Sequence, residues 1–591
     1  MQNKLINQLT QCLKGSVATF EAFELSLRLI AWAKLSTSSQ IDEDLKISLK
    51  SEINLSELKR IFERLSENYQ AFEDRSDLLS RVNSNEIYAA ISVLKNTILT
   101  GVIDSIKTID FIDFNLSMRD SIYSMPSDLA KLLVSIAKPG KNESVYIPWD
   151  ITGVLACCAA EKGANVSLEN PAPYLASLNK IISGHNFDIK EGEPIKHPAY
   201  VGEGELKKFD IAVSSPPFGL RYEYDVISKD WFGRFNDDDR SGEVLILKHL
   251  LTVTNGRIIV AMTNNILFCV GAERRFREDL INRGFVEAII NLPSGLFDYA
   301  NVNTSVMVLN TNNPQKKIRF INADIDLFKE SLGRTKNKLK NLNLIVEAMK
   351  SEIDNDYSRT VSFDEIRENN YQLQASRYVL PESVLKARDY LKKSKTAKLK
   401  NIVEIIRPII GREQEVGVHA YEVSGVDFPE YGEIIVANRQ TILNEDVAEV
   451  GLKQFLRPYD IVLMTKGNAG RVGIVGENAP KPGAGGWIAG QSAVVLRLKS
   501  KQPKDAKGLF MQLRSPLGQA ILKTVISGAT IKLIQLRELI ELEVISAEDK
   551  TFTTAANMLD EESNYQKQIF NLRTAQHEIA KKLWLFGENP Q

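Results

Sequence analysis

The chain has 591 residues, 74 Lys and Arg against 75 Asp and Glu for a net charge of −1, and 43% hydrophobic and 25% charged residues. That length exceeds a single hydrophobic core, so about three or four domains are expected, and the composition excludes a disordered or membrane-embedded chain. Four cysteines (Cys12, Cys157, Cys158, Cys269) without ligand-like spacing exclude a disulfide framework and a zinc site, and no metal is expected.

Residues 1–115 carry apolar residues three and four apart, as in Phe20–Ala33 and Leu55–Leu65, and are expected to form a helical domain. The opening residues, Met-Gln-Asn-Lys-Leu-Ile-Asn-Gln, lack a charged segment followed by an apolar one, and no apolar run reaches membrane-spanning length. A cytoplasmic protein with no membrane contact is expected. From about 116 to 325, short β-like runs (Ser144–Ile147, Asn165–Leu168, Phe209–Val213, Arg257–Met262, Glu287–Asn291, Ser305–Leu309) alternate with longer helical patterns. This reads as a Rossmann-like α/β domain, a parallel sheet covered by helices. Residues 326–400 read as charged helical segments, with the Lys-rich stretch Leu391–Lys400 as a linker.

Residues 401–550 change texture: short alternating strands such as Asp460–Met464 and Val472–Val475 are separated by Gly-rich turns, which reads as a separate α+β domain. Residues 381–550 also hold 25 Lys and Arg against 20 Asp and Glu, a small basic surplus suited to nucleic acid. The last segment sets Tyr565, Ile569, Leu572, Gln576, Ile579 and Leu583 at spacings of four and three, a heptad seam for a partner helix or for packing on its own chain. The resulting domain reading is 1–115 helical, 116–390 α/β, 391–550 α+β, and 551–591 a coiled-coil-like helix.

The most informative junction is Val213-Ser-Ser-Pro-Pro-Phe-Gly219. Two prolines directly after a strand remove two backbone donors and fix φ near −65°, giving a stiff loop that presents an aromatic ring at a strand's carboxyl end. In an open α/β sheet that edge is where ligands bind. Ser215, Pro216, Pro217 and Phe218 thus have the makeup of a loop that receives a base flipped from a duplex, polar oxygens meeting the exocyclic amine and the ring stacking on the base. A rigid turn with a core Phe is the other reading of the same residues.

Flanking segments follow in order: Glu243–Leu251 before Asn255–Met262, Asn264–Phe268 before Arg274–Ile281, Ala288–Phe297 before Asn303–Leu309, Asn369–Val379, then Phe455–Gly467, Gly470–Val475, Gln491–Leu498 and Ser527–Ile534. Together they resemble the modification subunits of type I restriction-modification systems, γ-class adenine-N6 DNA methylases, followed by a target-recognition half like that of their specificity subunits. The resemblance implies an S-adenosylmethionine-dependent methyltransferase domain that acts on double-stranded DNA in a restriction-modification or phage-defence system, with restriction or defence partner subunits. It also implies a homodimer paired through the carboxy-terminal helix. Lys466, Asn468, Arg471, Gln491 and Lys532 stand in the recognition loops.

For the cofactor, the resemblance singles out Pro148, Asp150, Thr152 and Gly153 in the first strand-to-helix turn, Glu169 after the second strand for ribose hydroxyls, and Glu193 for the adenine amine. Both acids are equally readable as surface carboxylates. The turn departs from the family pattern at Ile147, Trp149 and Ile151, Met125 stands where a hydroxyl is usual, and Ser215 replaces Asn or Asp. These departures leave a second reading open, a scaffold that recognises DNA without methylating it.

Overall fold

The computed structural model describes residues 2–74, 77–111, 124–236, 241–297, 300, 302–333, 336–409, 416–527 and 533–582, in two compact units, Met1–Val379 and Leu380–Gln591. Among the described residues no helix is long and apolar enough to cross a membrane, and no cluster of three or more His, Cys, Asp or Glu is arranged to hold a metal.

The first unit begins with helices α1 (Gln2–Leu13), α2 (Thr19–Ser36), α3 (Leu55–Ser66) and α4 (Ser84–Leu99). Helix α2 is buried on nearly every face, and the indole of Trp32 donates to the Leu45 carbonyl at 2.7 Å, so its one polar atom is satisfied inside the core. Arg28, also buried, donates to the Tyr174 hydroxyl and so ties this bundle to the helix that follows the second sheet strand.

That sheet has nine strands: β1 (Ser144–Pro148), β2 (Asn165–Asn170), β3 (Asp188–Glu191), β4 (Phe209–Ser214), β5 (Thr254–Thr263), β6 (Val286–Asn291), β7 (Thr304–Asn310), β8 (Lys317–Asn322) and β9 (Ser358–Ser362). Their order is β9-β8-β6-β7-β5-β4-β1-β2-β3. Alternate residues feed opposite faces: Val145 and Ile147 join the core shared with the amino-terminal helices, while Tyr146 joins Phe209, Val260 and Leu247 in the core of the other face. The covering helices include α5 (Ser127–Ala137), α6 (Val154–Ala160), α7 (Tyr174–Ser183), α8 (Gly242–Val253) and α9 (Ala272–Asn282).

Two expectations are corrected here. The sheet is mixed, because β7 runs antiparallel to both β5 and β6, and β9 antiparallel to β8. Only residues 292–303 separate β6 from β7, and none of the described residues among them is helical; so short a connection suits a chain that turns back instead of crossing over the sheet. Residues 326–400 hold the expected helices Leu342–Lys350, Phe363–Glu368 and Glu382–Lys392 but also supply the edge strand β9, and the Lys-rich stretch is no linker: Thr396–Lys398 pairs antiparallel with Glu543–Ile545, and Leu399 is fully buried.

The second unit holds β10 (Val403–Ile406), β11 (Val418–Val423), β12 (Arg439–Leu443), β13 (Ile461–Met464), β14 (Val472–Ile474), β15 (Trp487–Ala489) and β16 (Ala493–Leu498). They form a four-stranded antiparallel sheet, β10-β16-β13-β14, and a three-stranded one, β12-β11-β15. Helix α10 (Pro503–Arg514) packs against the first half of α11 (Lys550–Lys582), where Phe552, Ala556 and Leu559 are buried and the pairs Lys507–Asp560 and Arg514–Glu562 close at 2.5 and 2.6 Å. Beyond Ser563 the same helix turns its apolar residues outward: Tyr565, Ile569, Leu572 and Ile579 are all more than half exposed. Leu583, the last seam position, lies outside the described residues.

Candidate functional site

The site lies at the carboxyl ends of β1, β2 and β4, adjacent parallel strands in the middle of the first unit's sheet. Ser214, the last residue of β4, is fully buried and its hydroxyl donates to the Pro148 carbonyl at 3.1 Å, locking the start of the proline loop to the end of β1. Ser215 follows half-buried, Pro216 is buried, and Pro217 and Phe218 are half-buried. The Phe218 ring meets Phe297 edge-on with centroids 4.9 Å apart, and Gly219 takes a φ of 72°, letting the chain turn away. Beside the loop, Leu220, Glu243, Ile246 and Thr263 bound a hollow of only about 10 Å³, space for one water at most. The Thr263 hydroxyl donates to Glu243 at 3.0 Å, closing its polar wall.

The turn after β1 is built as a helix cap. Gly153, at φ 72°, precedes α6, and a Cβ there would stand 2.9 Å from the Ala176 Cα, so only glycine fits against α7. The buried Asp150 carboxylate accepts from the backbone N–H groups of Gly153 at 3.0 Å and Ala156 at 2.9 Å. Burial pushes its pKa up to about 6 against the pull of those donors. Thr152 is fully buried, and its carbonyl accepts from the Asn179 amide, which also binds the Ile109 carbonyl. Trp149 adopts φ 63°, a conformation rare for a bulky side chain, and its indole is 4% exposed.

The two acids are also engaged. Glu169, with no exposed surface, accepts from the Tyr146 hydroxyl at 2.8 Å and the Ala199 backbone N–H at 2.8 Å. Burial raises its pKa. Glu193 accepts from the backbone N–H groups of Ile195 and Lys196 at 3.0 and 2.6 Å and from the Tyr222 hydroxyl at 3.0 Å. Behind Glu169 runs a polar chain that sequence reasoning missed. Tyr146 lies 3.1 Å from His249 Nε2, Arg234 lies 2.9 Å from His249 Nδ1, and Arg234 is ion-paired to Asp230 at 2.7 Å. Because the Arg234 guanidinium only donates, Nδ1 accepts and the proton sits on Nε2. Burial, then Arg234, hold the His249 pKa well below its usual value, so the ring stays neutral. Each of these residues carries an unremarkable local pattern, and beyond the local Asp230–Arg234 pair their association spans chain separations of 15 to 103 residues.

In the second unit, Asn468 and Arg471 line one cavity with Arg514 and Gln519, and Arg471 also donates to the Phe428 carbonyl at 2.9 Å. Lys466 and Gln491 are exposed, and Lys532 lies outside the described residues.

A mixed sheet with the candidate site at the carboxyl ends of neighbouring parallel strands defines an α/β fold. The crystal structure of the type I restriction-modification methyltransferase subunit from Streptococcus thermophilus has this fold, with a TM-score of 0.54 at 17% identity, covering 64% of this chain and 99% of that one. Residues 120–387 match the N-6 DNA Methylase family. Similar curated proteins are the type I restriction enzyme MjaVII methylase subunit of Methanocaldococcus jannaschii, 31% identical over 226 residues, and the MpnII methylase subunit of Mycoplasma pneumoniae, 28% identical over 292 residues. These alignments cover 35% and 44% of this chain but only 38% and 53% of those relatives.

S-adenosylmethionine is the cofactor this family implies. The donor side of the site does not fit it: Glu169 is spent on internal partners, Asp150 caps a helix, and a buried indole stands in the turn where a small residue is needed for close backbone approach.

Proposed function

We propose that the protein is the DNA-acting, methylase-type subunit of a restriction-modification system, presenting the Ser215–Phe218 loop to an adenine flipped out of double-stranded DNA. The observation that carries this reading is the locked proline loop at the carboxyl end of β4, inside a segment of the N-6 DNA methylase family. The Ser215 hydroxyl and the Pro216 carbonyl accept the hydrogens of the exocyclic amine, and Phe218 stacks on the base. The hollow beside the loop is far smaller than a base, so entry requires Phe218 to leave Phe297. The family reaction is methyl transfer to adenine N6, and the residues of this chain supply its acceptor side. Recognition without methylation is the second reading, favoured by the buried, fully engaged Glu169.

On this reading the second unit is a target-recognition domain, with Lys466, Asn468, Arg471 and Gln491 toward phosphates or base edges. The exposed half of α11 pairs with the same helix of a second copy, and restriction or defence subunits complete the assembly. The test is selection from a random duplex library by the purified chain, followed by sequencing of the bound pool. Enrichment of a defined sequence is the expected result, and an unenriched pool refutes sequence recognition.

A further inference from the structure

We infer that the donor end of this fold is sealed from within, Trp149 and the buried chain Arg234–His249–Tyr146–Glu169 standing where a methyl donor would bind, so that this protein takes up no S-adenosylmethionine.

Four observations converge. Both Glu169 oxygens are occupied by interior donors, and the backbone after β3 lies directly upon them: a Cβ on Gly192 would stand 2.6 Å from Glu169 Oε1 and 2.8 Å from the Ala199 Cβ. Ribose hydroxyls reach that carboxylate only if this segment lifts away, and it is held down from the other side, where Arg234 donates to the carbonyls of Pro194 at 2.8 Å and Ile195 at 2.6 Å. The hydrogen bonds that link these groups run one way, from Arg234 through His249 and Tyr146 to Glu169, so each of these donors already has an acceptor inside the core.

Trp149 closes the remaining approach. Its backbone N–H is fixed to the Glu169 carbonyl at 2.8 Å, its ring packs edge-on toward His249 with centroids 6.2 Å apart, and its indole N–H is buried without a partner. Trp149 also lies within the apolar core at a left-handed backbone position, a strained conformation that persists only where the surrounding structure imposes it. This inference rests on the buried chain and not on the base-receiving role of the proline loop.

The test is isothermal titration of the full-length chain with S-adenosylmethionine and with S-adenosylhomocysteine, to about 1 mM, with and without duplex DNA, alongside DNA binding by fluorescence anisotropy on the same sample. No heat of binding is expected under any condition, and saturable micromolar binding overturns the inference whatever the DNA result. Absent DNA binding together with absent donor binding removes the proposed function and leaves the sealed donor end standing. Glu169→Gln supplies a second readout. A carboxylate inside a closed network lowers the melting temperature of the unliganded chain when replaced, whereas an acid kept free for a cofactor leaves it unchanged, and the latter result also overturns the inference.

Discussion

Replacing Tyr146 by Phe removes one oxygen from the centre of the buried chain and nothing else. The ring keeps its stack on Phe209, whose centroid lies 4.8 Å away, so packing is retained. The lost hydroxyl is at once the donor to Glu169 at 2.8 Å and the partner of His249 at 3.1 Å, and neither group reaches water once it is gone. A hydrogen bond to a buried charged group is worth about 1.5–3 kcal/mol, and the unpaired His249 N–H adds to that cost, so Tyr146→Phe should destabilise the first unit by about 3 kcal/mol. At roughly 1.3 °C per kcal/mol for a unit of this size, its melting transition should fall by about 4 °C. Differential scanning calorimetry of the full chain reads this, and a double-mutant cycle with Glu169→Gln should return a coupling of about 1–3 kcal/mol. A Tyr146→Phe transition within about 1 °C of the parent would refute the closed network.

Asp150 gives a pH signature. Its folded pKa, raised to about 6 by burial, lies above the ordinary 3.8, so its contribution to stability is full below about pH 4 and is lost as pH rises through 6. The stability of the parent relative to Asp150→Asn should therefore fall by about 2–3 kcal/mol between pH 4 and pH 7, and a pH-independent difference would contradict buried ionisation. Gly153→Ala meets both a φ of 72° and the Ala176 Cα at 2.9 Å, so a loss of at least about 2 kcal/mol, or insoluble protein, is expected on thermal melting. Phe218→Ala should weaken binding to a duplex carrying a mismatched target adenine by about 5- to 100-fold, since stacking is worth about 1–3 kcal/mol per base. An equal loss on fully paired non-target duplex would argue against stacking. Leu572→Glu places a charge on the exposed seam of α11 and should leave a stable monomer under light scattering, whereas an unchanged mass would count against helix-mediated pairing.

How far the site was legible depended on how local its causes are. The six strands read between 144 and 309 reappear with ends shifted by three residues or fewer, because a buried apolar run bounded by Pro, Gly or Asn is a local signal. The proline loop was legible for the same reason: its stiffness and its position after β4 follow from Pro216 and Pro217 themselves. Strand direction was not, since an apolar pattern records that β7 is buried on both faces and says nothing of which way it runs. The Lys-rich stretch read as a linker because charge is locally indistinguishable from solvation, while its pairing partner, Glu543–Ile545, lies some 145 residues on.

The sequence by itself determined that an α/β sheet would carry a rigid aromatic loop at a strand's carboxyl end, and that the last helix would hold a heptad seam. Tertiary structure alone decided that the described part of this seam would face solvent, because α10 covers only the turns before it, at Phe552, Ala556 and Leu559. It alone decided, too, that Glu169 would turn inward onto Tyr146 and Ala199. A carboxylate's role is set by the donors around it, and here these are Tyr146, 23 residues before it, and Ala199, 30 residues after, positions that only the folded sheet brings together.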